Sequence, residues 1–330
     1  MSIQEWNAGK LLKTSGSYWM ACTLHAAVRL GVFTVIGNDM VEPEEIADRL
    51  EVDLRGARML LNALTAMGLL TKKEGRYANT PWSKTLLVDG SPKYIGHMII
   101  HHYHLVDAWS KLPQAIRSGR PVRRVSYGEE EERESFLMGM FNVAMEVAPE
   151  VVSQIDLTNR THLLDLGGGP GTYAIHFCIA NPQLRATVYD LSTTRPFALK
   201  TVERFGLAER IDFMAGNYIE DEIKGLYDVA WLSHILHGEG PADCEKIIKK
   251  AVSVLKPGGL ILIHDFILDD TLDGPLFPAL FSLNMLLNTD QGQSYSESEI
   301  MGMLSRAGAK DVQRLPFRGF NDSGIVSGVV

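Results

Sequence analysis

From residue 162 onward the chain alternates between short apolar runs and amphipathic stretches, and this rhythm restricts its possible folds more than any other feature. Strand-like runs cover 162–166, 186–190, 210–214, 228–232 and 260–266, and helical stretches, among them 195–205 and 243–255, separate them. Parallel strands cannot be joined by a tight turn, so each needs a crossover. Alternation at this spacing predicts a parallel, doubly wound α/β sheet. The rhythm breaks at the end. After a helical 297–307, residues 310–316 and 325–330 read as two strands with only a loop between them, which calls for an antiparallel hairpin at the sheet edge.

The first half is organised differently. In 17–35, Ala21, Leu24, Ala27, Val28, Leu30 and Val32 recur at helical spacing. A second helix is expected over 41–50, with Pro43 near its start, and a third over 54–67, stopped by Gly68. Leu69-Leu70, a polar turn at 72–75 and the run 76–80 then form a hairpin pattern. Helix, helix, helix, hairpin is the layout of a winged helix. Long helices are expected over 94–116 and 136–155, and the Gly-, Pro- and charge-rich 118–132 reads as a loop. The domain reading is therefore 1–92, 93–155 and 156–330.

Winged helices often bind DNA, but this one has the wrong surface for it. Residues 53–67 offer only Arg55 and Arg58 as cations among Leu, Met and Ala, and the chain carries a net charge of −8. Phosphate contacts need clustered positive charge. No nucleic-acid partner is expected, and the apolar helix surface suits packing against another chain or the catalytic domain. No membrane partner is expected either, because no run approaches the roughly 20 apolar residues of a span. Residues 1–13 lack the apolar core of a signal peptide. Cys22, Cys178 and Cys244 are far apart and form no metal or redox spacing, which fits a reducing cytoplasm.

The run Leu163-Leu164-Asp165-Leu166 leads directly into Gly167-Gly168-Gly169-Pro170-Gly171, and Thr172 opens a helix. Glycines between a strand and a helix let a ligand lie against the backbone. A dinucleotide fingerprint is G-x-G-x-x-G; here Thr172 stands where its third glycine belongs. Asp190 ends the next strand about 20 residues on, where an acid grips ribose hydroxyls. Asn217-Tyr218, after the third strand, can offer an amide and an aromatic face to an adenine. A nucleoside ligand without a pyrophosphate is expected, and S-adenosylmethionine fits.

If a methyl group is transferred, catalysis reduces to holding the acceptor in line and removing its proton. The fourth strand runs into Ser233-His234-Ile235-Leu236-His237-Gly238-Glu239. His237 lies beyond the strand's carboxyl end and is the candidate general base. Asp265, in His264-Asp265-Phe266, can orient it through Nδ1. His234 reads as packing or pocket wall. His234, His237, His264 and Asp265 have no ligand-like spacing, so no metal is expected. His97, His101, His102 and His104 cluster too, but no acidic motif accompanies them, so they read as packing or pocket lining.

Together these residues resemble the two-domain O-methyltransferases of the plant caffeate and hydroxyindole type and their bacterial relatives. The resemblance covers nearly the whole chain: the winged-helix region, 163–171, Asp190-Leu191, Leu236-His237, the turn Lys256-Pro257-Gly258-Gly259 and the C-terminal hairpin. It implies a Rossmann-like methyltransferase sheet preceded by an α-helical winged-helix dimerisation domain, hence a homodimer, with 93–155 roofing the acceptor pocket. It implies S-adenosylmethionine held by Asp165, Gly167, Gly169, Asp190, Leu191, Asn217, Tyr218 and Ser233. His237 falls on the catalytic base and Asp265 on the acid beside it. His104, Phe141, Met145 and Met285 fall on positions contacting a small-molecule acceptor, where core packing is the alternative. The family often reads His-Asp-Trp at the base, against His237-Gly238-Glu239 here. A second acid often flanks the base where Ser294 or Tyr295 stands. Methylation of a small, aromatic hydroxyl is the expected activity. A carbon or nitrogen acceptor on the same fold is the alternative, with a non-enzymatic DNA-binding regulator as a third.

Overall fold

The computed structural model describes residues 5–123, 126 and 128–330; the remainder of the expected loop 118–132 lies outside them. The chain divides into two compact units. One holds the chain up to Leu105 and the segment ending at Asn142; the other holds Val106–Ser126 and Val143–Val330.

The first unit opens with α1 (Ala8–Ser15), α2 (Tyr18–Arg29), α3 (Val32–Ile36), α4 (Pro43–Leu50) and α5 (Leu54–Ala66). The single helix expected over 17–35 is two, because Gly31 takes a left-handed φ of 76° and turns the chain. Pro43 sits in the first turn of α4, and Asp53 caps α5 by accepting from the Gly56 amide at 2.9 Å. The strands β1 (Leu70–Lys73) and β2 (Arg76–Asn79) pair antiparallel as expected. The Asn79 amide donates to the Phe33 and Gly37 carbonyls at 2.8 and 2.9 Å, tying the hairpin to α3. Phe33, Ile36, Ile46, Leu61, Leu64 and Tyr77 fill the core. A further helix, α6 (Pro81–Leu86), follows.

Helices α7 (Gly96–Ser110), α8 (Leu112–Ser118) and α9 (Glu129–Ser153) come next. The long helix expected over 94–116 breaks after Ser110, because Pro113 has no N–H to continue α7 and instead occupies the first turn of α8. The expectation of a loop up to residue 132 is corrected: Glu129, Glu130, Glu131 and Glu132 form the first turn of α9, where the helix dipole favours acids. Among the described residues α9 is the helix whose length and composition would allow it to cross a membrane. Its last turns bury Ala148, Val151 and Val152 against protein.

The second unit is built on seven strands: β3 (His162–Leu166), β4 (Arg185–Asp190), β5 (Ile211–Ala215), β6 (Tyr227–Ser233), β7 (Leu255–Phe266), β8 (Lys310–Arg314) and β9 (Ser323–Val329). Their order is β5-β4-β3-β6-β7-β9-β8, parallel through β7. β9 runs antiparallel to both β7 and β8, so the C-terminal hairpin closes that edge with its second strand inside. Crossovers are made by α10 (Thr172–Ala180), α11 (Arg195–Arg204) and α12 (Pro241–Ser253); α13 (Leu276–Asn288) and α14 (Glu297–Arg306) precede the hairpin. Alternate side chains of one strand feed opposite faces. Leu163, Trp231 and Leu262 join Ala174, Phe177 and Cys178 of α10. Leu164, Ala230 and Ile263 join Ile247, Ile248 and Leu304 of α12 and α14. A sheet covered on both faces needs strands apolar on both sides, which is why these runs are nearly continuous in hydrophobicity. The turn at 256–259 lies within β7 as a bulge: pairing with β6 jumps from Tyr227↔Leu255 to Val229↔Leu260.

Chain order reverses at β3, which lies between β4 and β6. Open α/β sheets bind ligands at the carboxyl ends of the strands beside such a reversal.

Candidate active site

The glycine loop leaves β3 at that reversal. Gly167, Gly169 and Gly171 have left-handed φ values of 67°, 53° and 79°. Two of them are glycine for different reasons. A Cβ on Gly167 would lie 2.5 Å from Ile235 Cγ2, so the backbone itself is packed there; a Cβ on Gly169 would meet nothing within 4 Å. Gly169 therefore edges open space. Its amide donates to Asp190 Oδ2 at 2.8 Å, while Asp190 Oδ1 accepts from the Leu191 amide at 2.7 Å and from Thr194 Oγ1 at 2.9 Å. With three of about four acceptor sites used, half-buried Asp190 keeps capacity for a hydroxyl. Leu191 beside it is 52% exposed.

Asp165 is buried under the loop. Its Oδ2 accepts from the Ala174 amide at 3.2 Å, and Oδ1 has no partner among the described residues. Burial pushes its carboxyl up to about 7, against the Ala174 bond and reinforced by the Asp190 charge. A buried acid with an unfilled oxygen attracts a cation and repels a pyrophosphate. S-adenosylmethionine carries an ammonium and a sulfonium and no phosphate, so the loop and its two acids fit that cofactor.

Asn217 and Tyr218 follow β5. Asn217 Oδ1 accepts from the Ile219 amide at 2.8 Å, which makes it a turn former; its amide N–H groups stay outside that turn. The Tyr218 hydroxyl donates to Glu239 Oε1 at 3.3 Å, and burial raises its phenol well above the ordinary value. Ser233, at the end of β6, turns toward β7: its Oγ lies 3.0 Å from His264 Nδ1. Tyr173 Oη and Ser323 Oγ complete that cluster at 3.3 Å and 3.1 Å from the His264 ring nitrogens. Burial, and then the neighbouring His234, hold His264 well below its usual value, so it is neutral.

His237 stands in a single 3-10 turn, Leu236–Gly238, just beyond β6. Its Nδ1 is 2.6 Å from Asp265 Oδ1 at the end of β7, and its amide reaches Asp265 Oδ2 at 3.4 Å. An ionised carboxylate only accepts, so Nδ1 carries the proton and Nε2 keeps its lone pair. Asp265 is buried. Burial alone would raise its carboxyl, but His237, bonded to it, and His234 nearby hold it well below the usual carboxylate range. The geometry fixes one tautomer of His237, with Nε2 free to accept. Donor atoms of His234, His237 and Asp265 lie within 4.8 Å of one another. At 2.6 Å, His237 and Asp265 are closer than the roughly 3.3 Å expected of two donors on a tetrahedral zinc, so the pair is a hydrogen bond.

An aromatic wall surrounds His237. His237 meets Phe281 edge-on at 4.8 Å and lies nearly parallel to Phe266 at 6.0 Å; Phe277 packs against Phe266 at 4.9 Å. Phe277, Phe281 and Met285 recur every fourth residue along one face of α13. Only Met285 was among the expected site residues. The spacing of the apolar run 276–288 could have revealed the others. Ser294 does not touch the base. Its hydroxyl donates to the Pro278 carbonyl at 3.0 Å, and its amide donates to Ser282 Oγ at 3.0 Å, which anchors α13. Tyr295 donates to the Glu239 carbonyl at 2.6 Å.

Met145 also belongs to the second unit, with Sδ 3.4 Å from His176 Nε2. His104 and Phe141 belong to the first unit. Buried His104 lies 3.3 Å from both Ser135 Oγ and Glu131 Oε1, and Phe141 is buried on α9. Nearby rings of the histidine cluster pack between helices, as His101 does on Phe136 at 5.3 Å.

Residues 12–89 match the family described as the O-methyltransferase dimerisation domain, and residues 103–310 match the O-methyltransferase domain. A 3-hydroxy-5-methyl-1-naphthoate 3-O-methyltransferase of Streptomyces sahachiroi is 32% identical over 318 residues, covering 94% of this chain and 92% of its own. The N,N-dimethyltransferase OxyT of Streptomyces rimosus is 27% identical over 315 residues, covering 91% and 90%. The crystal structure of human N-acetylserotonin methyltransferase in complex with S-adenosylmethionine superposes with a TM-score of 0.85 at 26% identity, covering 100% of this chain and 99% of that one. With both family segments matched in order on a sheet whose reversal carries the glycine loop and its acids, the chain belongs to the S-adenosylmethionine-dependent O-methyltransferases.

Proposed function

We propose that this enzyme methylates a phenolic hydroxyl of a small aromatic molecule, with His237 as general base and Asp265 as its orienting acid. One observation carries the reading: a 2.6 Å His237–Asp265 pair set in a wall of Phe266, Phe277 and Phe281. A flat aromatic acceptor stacks on such a wall. When bound, the cofactor supplies an electrophilic methyl carbon that needs no further activation. The protein's part is to keep Nε2 of His237 facing the acceptor hydroxyl, take its proton as the oxygen attacks, and exclude water with the phenylalanines. A phenol ionises near pH 10, so a base beside it matters at neutral pH. In this reading Asp190 holds the ribose hydroxyls, Asp165 the cationic end of the cofactor, and the amide of Asn217 the adenine.

The direct test is incubation with S-adenosylmethionine and a panel of phenolic and polyketide acceptors, with NMR of the product. A methyl carbon bonded to oxygen of an aromatic ring is the expected result. A methyl on nitrogen would move the chain toward the chemistry for which its dimethyltransferase relative is named, and would remove His237 from the phenol-base role. The loop is tested separately. Gly169→Ala is expected to cost only about 1 kcal/mol of stability, the strain of a left-handed alanine, yet to weaken S-adenosylhomocysteine binding at least about tenfold, or 1.4 kcal/mol. Calorimetric titration showing unchanged affinity would take Gly169 out of the site.

The dimerisation domain has a visible use for a second copy. Helix α1 buries none of its residues within the chain, while Leu11, Leu12 and Trp19 are exposed. An eight-residue helix is unstable alone in water, so we assign that apolar surface to a homodimer. The free cysteines, two of them buried with thiols raised by burial, agree with a reducing cytoplasm. The acidic net charge argues against a nucleic-acid partner.

A further inference from the structure

We propose that His234 is a positioning residue for this reaction: its imidazole, poised to donate to Asp265, sets the pH below which His237 stops accepting a proton. The inference rests on the reading of His237 as the base.

The first observation is backbone strain. His234 has a left-handed φ of 56° at the end of β6. Such a conformation costs a non-glycine residue free energy and persists where the surroundings impose it. Its amide still donates to the His264 carbonyl at 2.8 Å, so strand pairing is kept and the turn serves to swing the side chain. The ring lands between His264, edge-on at 4.5 Å, and Phe266 at 4.4 Å, and 6.0 Å from His237.

The second observation is an unfilled nitrogen. His234 Nδ1 is shielded from solvent and makes no hydrogen bond among the described residues. It points at Asp265 Oδ1 from 3.5 Å, the same oxygen that His237 reaches at 2.6 Å. That oxygen also accepts from the Phe266 amide at 2.8 Å. A small ring rotation brings in a third donor. Each added donor draws density from the carboxylate and weakens its hold on a protonated His237. A cationic His234 would act in the same direction by repulsion. Ser294 brings no second carboxylate, so among the described residues Asp265 is the carboxylate bonded to His237.

Titratable groups from several elements face the pair. β7 contributes Asp265 and His264. The segment before α12 contributes Glu239, and α12 contributes Cys244. Tyr295 precedes α14. From α13 the pair faces the neutral ring of Phe281.

Three variants separate positioning from packing. His234→Gly keeps the left-handed backbone and deletes the donor. His234→Phe keeps a ring between His264 and Phe266 without the donor. His234→Asn tolerates the backbone and retains an N–H near the place of Nδ1. Two quantities are measured: kcat/KM against pH, and the NMR titration of the His237 ring in the enzyme without cofactor. In the Gly and Phe variants the acid limb and the His237 midpoint are expected to move up by about half to one unit. That lowers kcat/KM about threefold to tenfold at a fixed pH on the limb, with the high-pH plateau kept. The Asn variant should stay near wild type. An unmoved midpoint in Gly and Phe, or one that moves down, overturns the proposal. If Phe does not fold, the Gly and Asn pair decides. The titration needs no turnover, so an upward midpoint in His234→Gly supports the coupling even where His237→Ala remains active; that second result would sink the base assignment alone.

Discussion

His237→Ala is expected to lower kcat on a phenolic acceptor by about two to four orders of magnitude at neutral pH, the usual contribution of a placed general base, while S-adenosylhomocysteine binds as before. Nε2 of His237 has no structural task among the described residues, whereas Nδ1 is held by Asp265. Removing the ring therefore deletes the proton acceptor and leaves the strands standing. The pH profile gives a sharper check than the rate. Without the base, only acceptor already ionised by solvent reacts. The variant's rate should then climb about tenfold per pH unit toward the phenol value near 10, and the gap to wild type should narrow. Neutral-pH turnover equal to wild type would remove His237 from the mechanism.

The second large effect concerns stability and carries an opposite sign. Asp165→Asn is expected to make the enzyme without cofactor more stable at pH 8, and to weaken S-adenosylhomocysteine binding at least about tenfold. Burial raises the Asp165 carboxyl from 3.8 to about 7 in the folded chain. Between those values the folded state holds a proton that the unfolded state has released. Stability from this group is thus fully present below about pH 4 and is lost as pH rises toward 7. Three units correspond to about 4 kcal/mol as an upper bound. Asparagine retains an oxygen for the Ala174 amide and never ionises, so the variant should melt several degrees higher than wild type at pH 8 and nearly level with it at pH 4. Melting curves at both pH values, with and without S-adenosylhomocysteine, decide. A variant that melts lower at pH 8, or binds the ligand undiminished, sinks the assignment of Asp165 as a cation-attracting acid.

Both effects come from residues visible in the sequence, where His237 already reads as the candidate base. Asp165 stands in an apolar strand and enters the expected cofactor site only through the family resemblance; its burial and its unfilled oxygen supply the physical reason. His234 reads as packing or pocket wall, because a positive φ leaves no mark in a sequence that has histidine, and not glycine, at that position. Phe277 and Phe281 were missed because the apolar face of 276–288 carries no motif. Ser294 marked a missing acid, but only its bonds to Pro278 and Ser282 reveal that the position now anchors a helix.

By itself the sequence determined the sheet, the glycine loop, the identity of the cofactor and the residue most suited to be the base. Those depend on local periodicity and on short-range chemistry: period-two and period-3.6 patterns, and glycines and acids at set distances along one strand-turn-helix unit. Tertiary structure alone decided that β9 lies inside the hairpin edge, how closely Asp265 approaches His237 across 28 residues of chain, and that His234 faces the same oxygen. Contacts of that kind come from strand order and register, where residues distant in sequence meet at adjacent strand ends, and no local pattern records which ends those will be.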